Sequence, residues 1–543
     1  MPKVIDLLKE GRTEDVWKMC CGFIDLSMDE FMNIQNRLLL EQIQLLGNCE
    51  LGRRLMNGNI PDTVEEFRQI TPMTTYADYS DDLNEKREDI LPVKPDFWMQ
   101  TSGRSGEYPY KWVPINKRLW EEAGKNFCAI GLFSCCNQKG EVRIRPGDKL
   151  LNAAAHTPYL TGNIAYKLVE EFGLEFLPPI LESSSMDFEE RIDKGLKLAL
   201  SEGMTGFYGL AGVLVAIGEK FKNQTGNTNI SSLLSQPRLL SRLVQGKLLS
   251  KIAGRAMLPK DLWSLKLIVS MGTDCSIYRE KINELWGRIP LEVYGNTESI
   301  VLATQTWDYN GMVFFPNLNF LEFVPEKEYV KWQLDRDYQP KTVLLDEVKA
   351  GENYELVITN FHGGAMVRYR IGDMIRINEL KNDRLSIQLP QITFERRADD
   401  LIDLGFMRLT ERVIWQAIEK TGISYKEWTA HKEIGENAQL RLYMELSGGN
   451  HISEEELGEK IYEQIKCLDD GIYVYEDLTS LEKLIDFRPI QVILLPEGAF
   501  SDYKRVSVAE GKGLAHLKPP HINPSEKTLS LLGVRKTSTV SDN

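Results

Sequence analysis

Four short segments of this 543-residue chain carry the residue types that phosphate recognition requires. The first is Thr101-Ser102-Gly103-Arg104-Ser105-Gly106, with Lys111 just beyond it. A phosphate site needs exposed backbone N–H groups, hydroxyl donors and close approach. Glycines permit the approach, and Thr and Ser bring the hydroxyls. Lys111 can then neutralise charge. No Gly-Lys-Ser/Thr follows at the spacing of a Walker loop, and a plain flexible turn has the same composition. The second segment is Tyr294-Gly295-Asn296-Thr297-Glu298, directly after an apolar strand. Ligands sit at strand ends in open α/β sheets. Here an aromatic face can stack on a base, the Thr297 hydroxyl can meet a phosphate, and the Glu298 carboxylate can hold Mg²⁺. A strand-to-helix turn capped by Thr297 is the competing reading. The third is Arg368-Tyr369-Arg370-Ile371-Gly372-Asp373, whose Asp373 can accept from both hydroxyls of a ribose. A hairpin turn with a surface salt bridge would look the same. The fourth is Lys518 in HLKPPHINP; a lone lysine in a Pro-rich loop is ordinarily solvated.

The elements that must position these residues follow from periodicity. Residues 1–90 read as helical, with apolar residues at helical spacing from Phe31 to Leu46. From Phe97 the pattern changes. FWMQ feeds the Gly-rich segment, and strands and helices then alternate to about residue 325. KLLNAAA (149–155), LKLIVSM (265–271) and LEVYG (291–295) read as strands, with a helix from Ile277 to Trp286 between the last two. Such alternation predicts an α/β fold with a largely parallel sheet flanked by helices. A more β-rich stretch includes YELVITNF (354–361) and DMIRI (373–377), and the polar run RRADD (396–400) marks a junction. The expectation is a large N-terminal domain, 1–395, with parallel or mixed sheets. A smaller α+β C-terminal domain, 396–543, would hold helix 410–421, strand 438–446, helix 453–467 and strand 489–495.

Composition narrows the class. A net charge of -14 repels polyanions at long range, so nucleic acid is not an expected partner. No window approaches the ~18 apolar residues of a membrane span. MPKVIDLLKE has no apolar stretch after a basic segment, so no secretory leader is expected. The eight cysteines, at 20, 21, 49, 128, 135, 136, 275 and 467, form no Cys-x-x-Cys pair. Buried, reduced thiols and a cytoplasmic setting are expected. Nothing in the sequence specifies an oligomeric state.

Taken together and in order, TSGRSG, YGNTE, YRIGD, RADD (397–400) and Lys518 resemble the adenylate-forming superfamily of acyl-CoA synthetases, luciferases and peptide-synthetase adenylation domains. That superfamily has a Thr-Ser-Gly-rich loop, Tyr-Gly-x-Thr-Glu, Tyr-x-x-Gly-Asp, an Arg-x-Asp-Asp hinge and a late lysine. The chain is more closely similar to the acyl acid amido synthetases of the Gretchen Hagen auxin-responsive type. It shares their Phe…Pro…Tyr-x-Asp-Tyr segment (Phe67, Pro72, Tyr76, Asp78, Tyr79) and their Lys-x-x-Pro, here Lys111 to Pro114. It departs from the pattern at Arg104, where the superfamily usually has Thr or Ser. Lys111 lies two residues late, and the plant family has Tyr-x-Ser-Ser-Glu in place of YGNTE.

The resemblance implies ATP and Mg²⁺ as cofactors, and a carboxylic acid activated as its acyl-AMP. It implies that Thr101, Ser102, Gly103 and Ser105 hold phosphates, within a loop completed by Arg104, Gly106 and Lys111. The turn Gly272-Thr273-Asp274 would offer backbone contacts. Tyr294, with Gly295 and Asn296, would meet adenine, Thr297 the α-phosphate, Glu298 the metal and Asp373 the ribose. Arg397 would lie at a hinge about which the smaller domain moves, bringing Lys518 to the reacting oxygen. Catalysis would rest on Lys518, Glu298 and Thr297. The acyl pocket would draw on 150–162 and 203–212, with His156, Tyr208 and Gly209 as candidates; local packing is the alternative for each. The implied acceptor is an amine, an amino acid first. Coenzyme A thiol is the runner-up, and a non-catalytic nucleotide-binding relative the third reading. No membrane partner is implied.

Overall fold

Two strands, β1 (Phe97–Gln100) and β2 (Trp112–Ile115), pair antiparallel and bring the two ends of the Gly-rich segment together. The computed structural model describes residues 3–101, 111–224, 237–271, 275–335, 338–397, 402–404, 407–434, 438–447, 452–468, 488–509, 521–524 and 526–534. They form two compact units, one built from residues up to Arg397 and the other from Ile402 on.

The first unit is organised on one mixed sheet, eleven strands wide among the described residues. Its parallel half consists of β3 (Lys149–Ala153), β4 (Glu175–Leu177), β5 (Gly206–Leu210), β6 (Leu267–Met271) and β7 (Leu291–Tyr294). They lie side by side in the order β4-β3-β5-β6-β7, so the segments after β3, β5, β6 and β7 all leave from one edge. From β7 on the pairing is antiparallel, through β8 (Ala303–Gln305), β9 (Met312–Phe314), β10 (Asn319–Pro325), β11 (Asn353–Asn360), β12 (Tyr369–Glu379) and β13 (Gln391–Arg397). The parallel pattern expected to about residue 325 therefore stops at β7. The short links from β7 to β8 to β9 suit hairpins and are too short for crossover connections.

Side chains alternate across the parallel half. Tyr208 of β5 pairs with Val269 of β6 on the face covered by helices Lys117–Cys135 and Leu160–Phe172. Against the strands' other face, helices Ala211–Gln224 and Cys275–Trp286 are tied together where Trp286 Nε1 donates to Leu214 O at 3.0 Å. The helical entry is also as expected. Helix Met28–Gly47 opens on a capping box between Ser27 and Glu30. Its inner face buries Gln35 and Gln42, about two turns apart. Gln35 bonds both ways to edge strand β10, giving Nε2 to Asn319 O at 2.8 Å and accepting from Leu321 N at 3.0 Å. That edge is thereby closed to further pairing.

The second unit contains a short hairpin of β14 (Ile402–Asp403) and β15 (Arg408–Leu409) and a three-stranded sheet. In it β16 (Tyr425–Ile434) pairs antiparallel with β17 (Ala438–Leu446), and β17 pairs parallel with β18 (Ile490–Leu494). Helices Glu411–Lys420 and Glu454–Leu468 bury Ile414, Ile418, Leu457 and Ile461 in the same core as Trp428 and Leu440. Among the described residues the cysteines at 20, 21, 49, 128, 135 and 136 are buried free thiols, the two doublets as expected, and Cys467 is exposed. Among the described residues no helix is long and apolar enough to cross a membrane.

Candidate active site

The β1–β2 hairpin fixes two of the site's residues. Thr101 N donates to Lys111 O at 3.0 Å, and Lys111 N donates to Thr101 Oγ1 at 2.9 Å. The hydroxyl of Thr101 thus closes the base of the loop. Ser102, Gly103, Arg104, Ser105 and Gly106, expected to hold phosphates, lie outside the described residues, as do Gly272, Thr273, Asp274 and Lys518.

From the loop base the Lys111 side chain crosses to the turn after β7. Its Nζ stands 3.0 Å from Glu298 Oε1 and 2.9 Å from the Tyr369 hydroxyl, which itself donates to Glu298 Oε1 at 3.1 Å. Lys111 and Glu298 have only 11% and 8% of their side chains exposed, so their charges balance each other away from water. Burial opposes ionisation of Glu298. The charge and hydrogen bond of Lys111, with the Tyr369 hydroxyl, outweigh it and hold the carboxyl below its ordinary value. Burial, then the Glu298 charge, pushes the Tyr369 phenol well up, so it stays protonated.

The turn that presents Glu298 is tightly folded. A Cβ at Gly295 would stand 2.7 Å from Ile300 O, so only glycine fits there. Asn296 Oδ1 accepts from Ser299 N at 2.8 Å and Ser299 Oγ at 2.9 Å, which makes this side chain part of the turn. Thr297 is buried. The carbonyl of Glu298 accepts from Asn360 Nδ2 at 3.0 Å, and Asn360 also donates to Asn319 Oδ1 at 2.8 Å. Neither asparagine was singled out from sequence; the available signal was an amide at the end of an otherwise apolar strand.

A second cluster lies on β7, β12 and β13. Asp373 and Arg397 are cross-strand partners, and Arg397 Nη1 donates to Asp373 Oδ1 at 2.5 Å. Tyr294 donates its hydroxyl to Asp373 Oδ2 at 3.0 Å. Burial, then Asp373, raises the Tyr294 phenol well above its usual range. YRIGD is neither a hairpin turn nor a surface salt bridge. It runs along β12 with Gly372 at φ 76° and the register shifted beside it, and its ion pair is buried.

The acyl-pocket candidates part company. A cavity of about 80 Å³, partly open to solvent, lies between the sheet and helices Lys117–Cys135 and Leu160–Phe172. Phe127, Ile130, Ile164, Tyr208 and Val269 line it, and Gly295 and Ile300 of the Glu298 turn form part of its wall. Tyr208 therefore faces it, although its hydroxyl is spent on Thr161 O at 2.8 Å. His156 and Gly209 are not among the lining residues. His156 is half-buried beside the Tyr159 ring; burial, then the charge of Arg191, lowers its pKa. Gly209 lets β5 approach β3, since a Cβ there would stand 2.6 Å from Ala153 O.

Among the described residues no group of three or more His, Cys, Asp or Glu is arranged to hold a metal. A Mg²⁺ ion is commonly held by one or two carboxylates together with substrate phosphates. One ionised, buried carboxylate at Glu298 fits that requirement.

Comparison with known proteins points to one family. Residues 20–152 match the model of the GH3 family N-terminal domain, and residues 312–397 match that of the GH3 family central domain. Both matched stretches are GH3-family domains. The first match carries Tyr76, Tyr79, Thr101 and Lys111 of this chain, and the second carries Tyr369, Asp373 and Arg397. Jasmonoyl–L-amino acid synthetase JAR4 of Nicotiana attenuata is 26% identical over 278 residues, covering 48% of this chain and 44% of that protein. The chain spans less than half the length of the curated relatives it matches first, 44% and 45%. Among solved structures, the AtGH3.15 acyl acid amido synthetase in complex with 2,4-DB has a TM-score of 0.52 at 17% identity, covering 95% of each chain. A 2-hydroxyisobutyryl-CoA ligase in complex with 2-HIB-AMP and CoA has a TM-score of 0.54 at 15% identity, covering 86% of this chain and 87% of that one. At such identities the likeness is one of fold.

Proposed function

We propose that this chain is an ATP-dependent, adenylate-forming ligase. It activates a carboxylic acid as an acyl-AMP and passes the acyl group to an amine, an amino acid, releasing AMP and diphosphate. The observation that carries this is the ionised Glu298, held by Lys111 and Tyr369 in the crevice outside the carboxyl end of β7. The two GH3-domain matches support it, and JAR4 is by name a synthetase joining an acid to an amino acid.

Both reactants of the first step are anions, so positioning and charge neutralisation must lower the barrier. The acid's carboxylate attacks the α-phosphorus in line and diphosphate leaves. Glu298 would hold Mg²⁺, which supplies charge neutralisation at the phosphate oxygens. Lys111 brings a second positive charge to the same place, Thr297 a hydroxyl, and Asp373 two acceptors for the ribose. The acid's apolar part occupies the cavity beneath Gly295 and Ile300, with Tyr208 in its wall. Lys518 serves the reacting oxygen and Arg397 the hinge. Buried free thiols support a reducing, cytoplasmic setting.

ATP–pyrophosphate exchange across a panel of acids tests this reading. Exchange should require an apolar acid, and Glu298→Gln should slow it on the order of 10²-fold while the fold survives. Nucleotide binding with no exchange under any acid would instead indicate a binding protein.

A further inference from the structure

The segment from Phe67 to Tyr79 carries no chemistry of its own, and the proposed reaction does not use it. Its contacts lead to the charged pair. Thr74 is bonded to the backbone on both sides of Tyr369: Thr74 N donates to Arg368 O, and Arg370 N donates to Thr74 O, each at 2.9 Å. The Tyr79 hydroxyl accepts from Val367 N at 2.9 Å and lies 2.8 Å from Thr74 Oγ1. Its ring stands edge-on to that of Tyr369, with centroids 6.1 Å apart. Tyr76 accepts from Trp112 N at 2.8 Å, one residue past Lys111, and its ring centre lies 5.4 Å from Lys111 Nζ. Backbone and ring of Tyr369 are therefore fixed, and with them the direction of its hydroxyl.

We propose that Tyr369 is a positioning residue of the nucleotide site, whose hydroxyl fixes Lys111 Nζ and Glu298 in one triangle, so that the ammonium serves the phosphate oxygens and the carboxylate the Mg²⁺ that accompanies them. The proposal rests on the nucleotide-site reading above. The three contacts, at 2.9, 3.0 and 3.1 Å, join every pair of the three groups. A phenol suits the third corner because it accepts from the ammonium and donates to the carboxylate at once. All the bonds to Glu298 within the triangle use Oε1, which leaves Oε2 out of it. A lysine and a glutamate left to themselves are long, flexible side chains, and ordering them has an entropic cost that a prepared site has already met. The mount formed by Thr74, Tyr76 and Tyr79 then has a function: it holds the corner that holds the charges.

The test is calorimetry of ATP binding to the full chain, with and without Mg²⁺, for the wild type and Tyr369→Phe, with melting followed alongside. The wild type should bind ATP more tightly when Mg²⁺ is present. Tyr369→Phe should melt like the wild type, bind ATP alone nearly as well, and lose about tenfold or more of the Mg²⁺-dependent gain, the scale of a hydrogen bond to a charged group. An undiminished gain in Tyr369→Phe overturns the proposal and leaves the nucleotide site standing. A wild type that binds no ATP overturns that site and this proposal with it. Should Tyr369→Phe fail to fold, Lys111→Arg reads the same triangle from another corner. It keeps the charge and changes the geometry, so the Mg²⁺-dependent gain should fall; wild-type behaviour of Lys111→Arg overturns the proposal.

Discussion

Asp373 has both carboxylate oxygens engaged within the protein, one by Arg397 and one by the Tyr294 hydroxyl. Each oxygen retains a further lone pair, so a ribose can be accepted without breaking either bond. Asp373→Ala should weaken ATP binding by about 1.5–3 kcal/mol, as expected for hydrogen bonds to a charged group. Calorimetry measures this directly, and an unchanged affinity removes Asp373 from the site. Asp335→Asn, at an exposed position outside every motif, should leave ATP binding unaltered. Residues of this kind were legible in the sequence because a carboxylate close behind a glycine at a strand end or break is chemically conspicuous: Asp373 follows Gly372 within β12, and Glu298 lies three residues past Gly295 at the end of β7. Tyr369 was quoted within the same motif and yet given no role. Its importance depends on Lys111 and Glu298 arriving from β2 and β7, which spacing along the chain does not encode. Asn319 and Asn360 were hidden for the same reason. The signal at Tyr294 was read as a free aromatic face, whereas its hydroxyl is committed to Asp373.

In the second unit, His521 fastens a chain segment to strand β16. Its Nδ1 lies 2.6 Å from a Glu411 oxygen and its Nε2 lies 2.8 Å from one of Glu427, and its ring stacks on Trp428 at 4.3 Å. Ala430 N donates to His521 O, and Asn523 N donates to Ala430 O. A ring that donates to two carboxylates is an imidazolium. The hydrogen bond to Glu427, against burial and with Glu411 adding to it, raises the His521 pKa above the ordinary value. The stabilisation is therefore fully present below the unfolded value of about 6.5 and is lost as pH rises through the raised folded value. Melting of the full chain should thus show the wild type more stable than His521→Gln at pH 6 and converging on it at alkaline pH. Melting curves offset equally at every pH would mean that the ion pairs contribute nothing. Elements themselves were largely readable: helices 410–421 and 453–467 and strands 438–446 and 489–495 each match an observed element to within about two residues. Strand β16 was not, because YKEWTAHKEI offers only Trp428 and Ala430 as consecutive inward apolar positions amid charges. The strand is recognised by its partner β17, and a weak period-2 pattern does not reveal a partner.

At the scale of the whole molecule the question is which acceptor the proposed ligase, acidic and built of two units, can use. An acyl-AMP is a reactive mixed anhydride, so the transfer step asks the protein for orientation and proton removal. An amine must arrive neutral, because an ammonium has no lone pair to attack with. Turnover with an amine should therefore rise with pH until deprotonation of the amine, or of a base that assists it, ceases to limit the rate. A net charge of -14 repels an anionic acceptor at long range. An amino acid carries one carboxylate, which a single Arg or Lys near the site can balance, whereas coenzyme A brings several phosphate charges and needs a site for its own nucleotide. The fold likeness to a 2-hydroxyisobutyryl-CoA ligase does not decide between them, since the same fold serves both acceptors. The deciding measurement is product analysis with an acid already shown to support pyrophosphate exchange, given ATP and either the twenty amino acids or coenzyme A. Amide with one or a few amino acids, formed faster as pH rises, is the expected result. Thioester with coenzyme A and no amide from any amine would overturn the amide assignment while leaving the adenylation step intact, because exchange reports that step without any acceptor present.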